Sequence, residues 1–474
     1  MKKIIFILTI FLSFAGFAEI KKITICQTTD IHGFFRKSWK ENPEAWLSAA
    51  TIIKAERKKA KENFLLIDCG DTLQGSFITL QDQGETAINI LNDLKYDVWV
   101  PGNHDFDFGF KTLKLRTSQF KGDTIISNIE TKNNPFLSWK MFDIDNVKIA
   151  IIGITAPNLD DYNWGSKLDG FQLSTIDDAI SKIIPDIMKA KANIIILASH
   201  FGLYGIDKKQ ANSLYYIAKK YPQIELILGG HIHTANKGEL IGQSTWFAQS
   251  EHHAESVLKI DIFIDTEKNL PNKITGELLS VKGVKEDKLL VNKYNVFLEK
   301  SEKLKSKKIG YLEQEKDAII IKGKSSISEF IALSAMKKLG INTVIIGSVS
   351  SFAKLQGDIT ELNLYLASPY QDTIATLDLN IKDLKAIIKE QEKQKKKNLF
   401  QTLYHFSDKM YINKKAIAIL ANKKKIKVAF SSFVLAGARG KFPVLKKLSK
   451  LKRTNPADTN ITIRDIMRTS FKLK

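Results

Sequence analysis

The residues of this chain that could do chemistry are aspartates, histidines and one asparagine, gathered in five short clusters. They read Thr29-Asp30-Ile31-His32-Gly33, Asp68-Cys69-Gly70-Asp71-Thr72-Leu73-Gln74-Gly75, Pro101-Gly102-Asn103-His104-Asp105-Phe106-Asp107, Ser199-His200-Phe201-Gly202 and Gly229-Gly230-His231-Ile232-His233. Anionic oxygen and imidazole nitrogen are the ligands that borderline divalent metals take. Asp30 and His32 stand two apart, as do His231 and His233. In extended backbone such residues face one side, so each pair is expected to aim at one site. The flanking glycines let backbone turn tightly beside an ion. A single Asp-x-His is common, and a lone buried histidine is usually a satisfied core residue. The conjunction is different: five of the eight histidines fall in these clusters. It points to a bound metal centre.

The elements that must position these clusters are short apolar runs. Strands are expected at 23–27, 64–67, 97–100, 148–154, 193–198 and 224–228. Helices are expected at 49–61, 86–94 and 180–190, the last kinked or restarted at Pro185. This β/α alternation argues for a layered α/β domain. Each cluster directly follows a strand, and open α/β sheets build their sites at the carboxyl ends of strands. Five segments would thus deliver Asp, His and Asn to one rim.

The chain has 474 residues, 44% of them hydrophobic and 26% charged, which excludes a disordered or collagen-like chain. Its length suggests more than one domain. The formal net charge is +21. Lys-rich surface solvates the protein and favours anionic substrates. No stripe of basic and aromatic residues accompanies the charge, so no nucleic-acid partner is expected. Lys2 and Lys3, the apolar run 4–14 and the small residues Gly16 and Ala18 read as a secretory signal cleaved after Ala18. A periplasmic or secreted protein with no membrane span is therefore expected. Cys26 and Cys69 are the only cysteines. Both sit in or just after strands, where small buried residues are usual, and are expected to stay unpaired.

The five clusters together resemble the calcineurin-like metallophosphoesterase superfamily, and within it the bacterial 5′-nucleotidase family of secreted two-domain enzymes. The carrying motifs are Asp30-Ile31-His32-Gly33, Gly70–Gly75, Gly102–Asp107, Ser199-His200 and Gly230–His233, over residues 23 to about 260. The resemblance implies two divalent metal ions (Mn, Zn, Fe or Co) bridged by Asp71. Asp30, His32 and His233 would complete one site, and Asn103, His200 and His231 the other. His104 would be the catalytic histidine and Asp107 the acid that orients it. Two such ions would clamp phosphoryl oxygens and activate water for attack on phosphorus. Asp105 departs from a common glutamate but is not an implied ligand. His252 and His253 are read as surface or supporting residues.

The resemblance also implies an organisation: signal 1–18, catalytic domain 19–283, connecting helix 284–308 and a smaller α/β substrate domain 309–474. A helical spacing of Leu290, Tyr294, Phe297, Leu298 and Leu304 supports the connecting helix. Beyond it, a helix at 325–339, strands at 341–346 and 427–430 and a turn at 357–360 are expected. Tyr370 and Phe433 fall where the family stacks a base between two rings. The polar partners differ: Ser351 stands where an arginine is expected, Ile346 where an asparagine is, and Arg439 where an aspartate is. Serine cannot supply arginine's forked donors. The Lys-rich run 389–397 reads as a solvated helix end or loop.

The function implied is a monomeric, secreted phosphoester hydrolase acting on a small phosphorylated, nucleotide-like substrate. The alternatives are hydrolysis of a non-nucleotide small phosphoester or sulfur-containing ester, and a non-catalytic, metal-stabilised binding protein.

Overall fold

Long apolar runs such as Val147–Ile154 and Ile194–Ser199 carry no polar alternation because both of their faces are covered. Ile149, Ile151, Ile194, Ile196 and Ala198 point into a core shared with Ile23, Ile25, Leu65 and Ile67. Their neighbours Ala150, Ile152, Ile195 and Leu197 pack instead against Ile176, Ile180, Leu214 and Ile217 of two helices. Cys26, Phe64 and Leu66 likewise meet Trp46, Leu47, Ile53, Ile88 and Leu91 on the opposite side. The period of two along each strand therefore builds four layers, helix, sheet, sheet, helix. The computed structural model that shows this describes residues 20–35, 46–203, 211–265, 267, 270–317, 320–321, 324–341, 343–346, 353–397 and 425–472. The expected signal at 1–18 and Ser351 lie outside the described residues.

Each of the two facing sheets has six strands. In the first, the order is Leu270–Ser280, Ser256–Asp265, Ile20–Thr28, Phe64–Asp68, Val98–Trp99 and Asp123–Thr124. Its last four strands run parallel, so Ile20–Thr28, Phe64–Asp68 and Val98–Trp99 end on one edge. In the second, Val147–Ile154, Ile194–Ser199 and Leu226–Leu228 are parallel and adjacent. The helix Ile176–Lys189 is one element containing Pro185, so it does not restart there. Its Ile176, Ile180, Ile184 and Ile187 are buried against the sheet, and tertiary packing of this kind outweighs local propensity. Cys26 lies in the helix-side core and Cys69 between the sheets, so the two thiols are separated and free.

The helix Lys288–Lys305 leads into a smaller four-stranded sheet in the order Val344–Ile345, Ile426–Ser431, Thr373–Leu379, Ala457–Thr462. Helices Ser326–Leu339 and Ile463–Arg468 cover one face, and Ile381–Lys397 and Pro443–Ser449 the other. Residues 357–360, read as a turn, instead end the strand Lys354–Thr360, and Thr360 caps the helix Glu361–Ala367. The Lys-rich run 389–397 forms the end of a helix, one of the two expected outcomes.

Candidate metal centre

The loop after strand Ile20–Thr28 is laced to the loop after Phe64–Asp68. Asp30 N–H donates to Gly70 O at 2.7 Å and His32 N–H to Asp71 O at 2.8 Å. The third loop closes against the second, with almost no space to spare. A Cβ on Gly102 would lie 2.4 Å from Asp71 Oδ1 and 2.6 Å from the His200 ring. Asp105 ties these two loops together. Its buried carboxylate accepts from the N–H groups of Asp71, Thr72, Leu73 and Gly102 at 2.7–2.9 Å. Burial pushes its carboxyl up to about 7, helped by nearby Asp71. Asp105 had no assigned role in the motif; an acid in a glycine-containing turn was the available signal.

Two groups of side chains converge at this edge. Asp30, His32 and His233 form one, and Asp71, His200 and His231 the other, each with ligand-capable atoms within 4.8 Å of one another. Thus His231 and His233, expected to aim at one site as a pair, belong to different groups. The reason is local backbone: Asp30, His32, Asp71, His231 and His233 all have φ between 52° and 74°, not the extended geometry assumed from their spacing. Left-handed backbone at a non-glycine residue is strained and clusters at functional sites.

The donor atoms are oriented for a cation. Asp30 Oδ2 accepts from Thr29 Oγ1 at 2.7 Å and His231 N–H at 2.8 Å. Its Oδ1 is buried with no hydrogen-bond partner, as are both amide atoms of Asn103. His32 Nδ1 lies 2.7 Å from Gln74 O and His200 Nδ1 2.6 Å from Cys69 O. A proton held there leaves each Nε2 lone pair for a metal. Asp71 Oδ2 sits 3.2 Å from His200 Nε2 and 3.8 Å from His32 Nε2, between the two groups. Burial opposes charge on Asp30 and Asp71, yet the surrounding histidines hold both below the usual carboxylate range. Burial also disfavours a charged His200, but Asp71 and Asp30 raise it to about 10. Burial instead holds His32 down to about 4 and His231 down to about 3, so these rings stay neutral donors. Orphaned buried acceptors together with these donors fit divalent metal.

His104 stands beside the groups. Its N–H donates to Asp71 Oδ1 at 2.7 Å, and its Nδ1 lies 3.0 Å from Asp107 Oδ2. Burial disfavours the imidazolium, but Asp107 and Asp71 outweigh it and raise the ring's pKa. Two neighbours, Lys167 and Tyr162, escaped the sequence reading, and Arg439 entered it only as a changed substrate-side position. Lys167 Nζ is 4.0 Å from Asp107 Oδ1, and Tyr162 OH is 2.8 Å from His231 Nε2. The Arg439 guanidinium lies 5.5 Å from the Tyr162 ring centre. From the smaller sheet's side, Tyr370 stacks on His104 with ring centres 5.1 Å apart and an 18° interplanar angle. Phe433 is half-buried against the core formed by Leu435, Phe442 and Leu445. The structure therefore brings Tyr370, but not Phe433, onto the His104 ring.

Known proteins agree with this architecture. Residues 23–235 match the model of the calcineurin-like phosphoesterase family. A 2′,3′-cyclic-nucleotide 2′-phosphodiesterase/3′-nucleotidase of Haemophilus influenzae is 26% identical over 281 residues, 54% of this chain and 40% of that protein. A 5′-nucleotidase of Vibrio cholerae is 22% identical over 416 residues, 76% of this chain and 73% of its own. The first curated relatives are matched over less than half of their own length. The solved 5′-nucleotidase precursor of Thermus thermophilus superposes with a TM-score of 0.68 at 17% identity, covering 95% of this chain and 96% of that one. Among the described residues no helix is long and apolar enough to cross a membrane. Residues 23–235 thus carry a calcineurin-like phosphoesterase domain, the domain of phosphoester-hydrolysing enzymes.

Proposed function

We propose that this protein is a secreted or periplasmic, dinuclear metal-dependent phosphoester hydrolase acting on nucleotides or nucleotide derivatives. The observation that carries the reading is Asp71, whose Oδ2 lies between two Asp/His groups while its Oδ1 holds the His104 backbone. In this reading Asp71 bridges two ions. Asp30, His32 and His233 hold one ion; Asn103, His200 and His231 hold the other. Divalent metals, when bound, supply Lewis acidity toward phosphoryl oxygens and lower the pKa of water. The chain's own contribution is position and protons. Asp107 keeps the His104 ring oriented and favours its charged form, so that Nε2 can give a proton to the departing oxygen. The catalytic unit runs to about 283, with a connecting helix at 284–308 and a substrate domain beyond it.

Relatives named nucleotidases support a nucleotide-like substrate. Tyr370 and Phe433 would hold its base by stacking. The position of the Tyr370 ring on His104, with Phe433 packed into its own core, favours a second reading in which a small non-nucleotide phosphoester is the substrate. A hydrolysis screen of the metal-loaded protein decides between them. Nucleotides, cyclic nucleotides, nucleotide sugars and simple aryl or alkyl phosphates would be compared by kcat/KM. Preference for the nucleotide group supports the first reading, and cleavage of simple esters alone supports the second. No hydrolysis of any of them with metal bound would leave a sulfur-containing ester as substrate, or a metal-stabilised binding protein.

A further inference from the structure

A third cluster of histidines lies against the open side of the centre. The ligand-capable atoms of His233, His252 and His253 all lie within 4.8 Å of one another. The His233 and His252 rings stack 4.6 Å apart at 17°, and the His252 and His253 rings meet at 4.4 Å. His252 Nδ1 is buried and has no hydrogen-bond partner. His253 is locked in place: its N–H donates to Asp30 O at 2.8 Å, its φ is 53°, and its ring stacks on Phe34 at 4.0 Å. Imidazoles collected only to fill a core would each find a partner for the ring nitrogens. Here the ring nitrogens lie close together, and the buried Nδ1 of His252 is left without a partner.

We propose that His233, His252 and His253 form an auxiliary cation site that takes a borderline divalent metal such as Zn2+ or Ni2+. The proposal rests on the reading of the neighbouring centre, with which it shares His233. The trio contains no carboxylate, and all-imidazole donor sets suit Zn2+, Ni2+ and Cu2+ whereas carboxylate and carbonyl oxygen suit Mn2+. The auxiliary site should therefore discriminate between metals that the mixed Asp/His centre accepts alike. His233 Nε2 lies 3.2 Å from Asp30 Oδ1 and 3.3 Å from His32 Nε2, so with both sites filled His233 gives Nε2 to the centre and Nδ1 to the trio's ion as a bridging imidazolate, its ring proton released to solvent, and the two occupancies are coupled.

The test is metal uptake by the full chain. Metal-free protein is saturated with Mn2+ or with Zn2+, freed of excess ion and analysed for metal per chain, for the wild type and for the His252→Ala/His253→Ala variant. With Mn2+ both proteins should hold about two equivalents, and Mn-supported hydrolysis should be the same. With Zn2+ the wild type should hold about three and the variant about two. A wild type that stops at about two Zn2+, or a third Zn2+ that survives in the variant, overturns the auxiliary site. Should neither protein take up Mn2+ while one Zn2+ still depends on His252 and His253, the reading of the main centre fails and the auxiliary site stands. If the double variant does not fold, His252→Gln is read by the same Zn2+ difference.

Discussion

One oxygen of Asp71 is fixed by the His104 N–H, and the other faces both His200 and His32. In the proposed centre no other side chain serves both metals, so Asp71→Ala should lose both Mn2+ ions and nearly all hydrolysis. Metal analysis after Mn2+ loading checks this, and retention of two ions would sink the bridging role. His104 divides binding from chemistry differently. Its Nδ1 faces Asp107 Oδ2, and His104 belongs to neither Asp/His group. His104→Ala should keep both ions and lower kcat by roughly 10²–10⁴-fold. Asp107→Asn keeps a hydrogen-bond acceptor but removes the charge that, against burial, raises His104. An imidazolium with less support loses its proton at lower pH. The basic limb of the kcat profile should therefore move to lower pH in Asp107→Asn, and an unmoved limb would remove His104 from the proton-transfer role.

At the scale of elements, most of what positions the centre was legible in the sequence. The apolar runs 149–154 and 194–198 announce themselves because two buried faces demand apolar residues at successive positions. Strands that close the sheets are quieter. Trp139–Ile144 and Asn236–Ile241 mix exposed and buried residues, and their register comes from antiparallel partners, not from their own pattern. The left-handed backbone at Asp30 and His231 was not legible either, since it is imposed by contacts between loops distant in sequence. Glu225 shows the same dependence. Its carboxylate accepts from Ile195 N–H at 2.7 Å on the neighbouring strand, and burial raises it to about 7 from an ordinary 4.5. The folded chain thus holds that proton more tightly than the unfolded chain does. The associated stability is full below the ordinary value and is lost as pH rises through about 7. Gln cannot ionise and keeps an oxygen for Ile195. Glu225→Gln should match the wild type near pH 4 and exceed it above pH 8 by roughly 1–3 kcal/mol, read from urea midpoints at both pH values. An equal difference at both would mean that Glu225 does not titrate on unfolding.

At the scale of the molecule, the smaller sheet's domain is seated directly on the loops of the centre. Gln74 Nε2 donates to Pro369 O at 2.8 Å, and the Tyr365 hydroxyl donates to Gly75 O. On the other flank Lys446 pairs with Asp160 at 2.9 Å and Asp161 at 2.6 Å. These contacts carry Tyr370 to His104, and Arg464 fixes the Tyr370 backbone through a 2.8 Å bond to its carbonyl. If substrate choice belongs to this region, as proposed, its two rings should answer differently. Tyr370→Ala uncovers His104 and should change the hydrolysis of every substrate. Phe433 packs against the core that holds Leu435, Phe442 and Leu445. If it stacks on a base, Phe433→Ala should raise KM for nucleotides by roughly 5- to 150-fold, the equivalent of about 1–3 kcal/mol of stacking. Hydrolysis of a small aryl phosphate, which needs only the centre, should be almost unchanged. The unfolding midpoint separates this from a packing defect. A fall in stability with both substrates affected alike would make Phe433 a core residue. The base would then have at most one ring to rest on, and the small-phosphoester reading would take precedence.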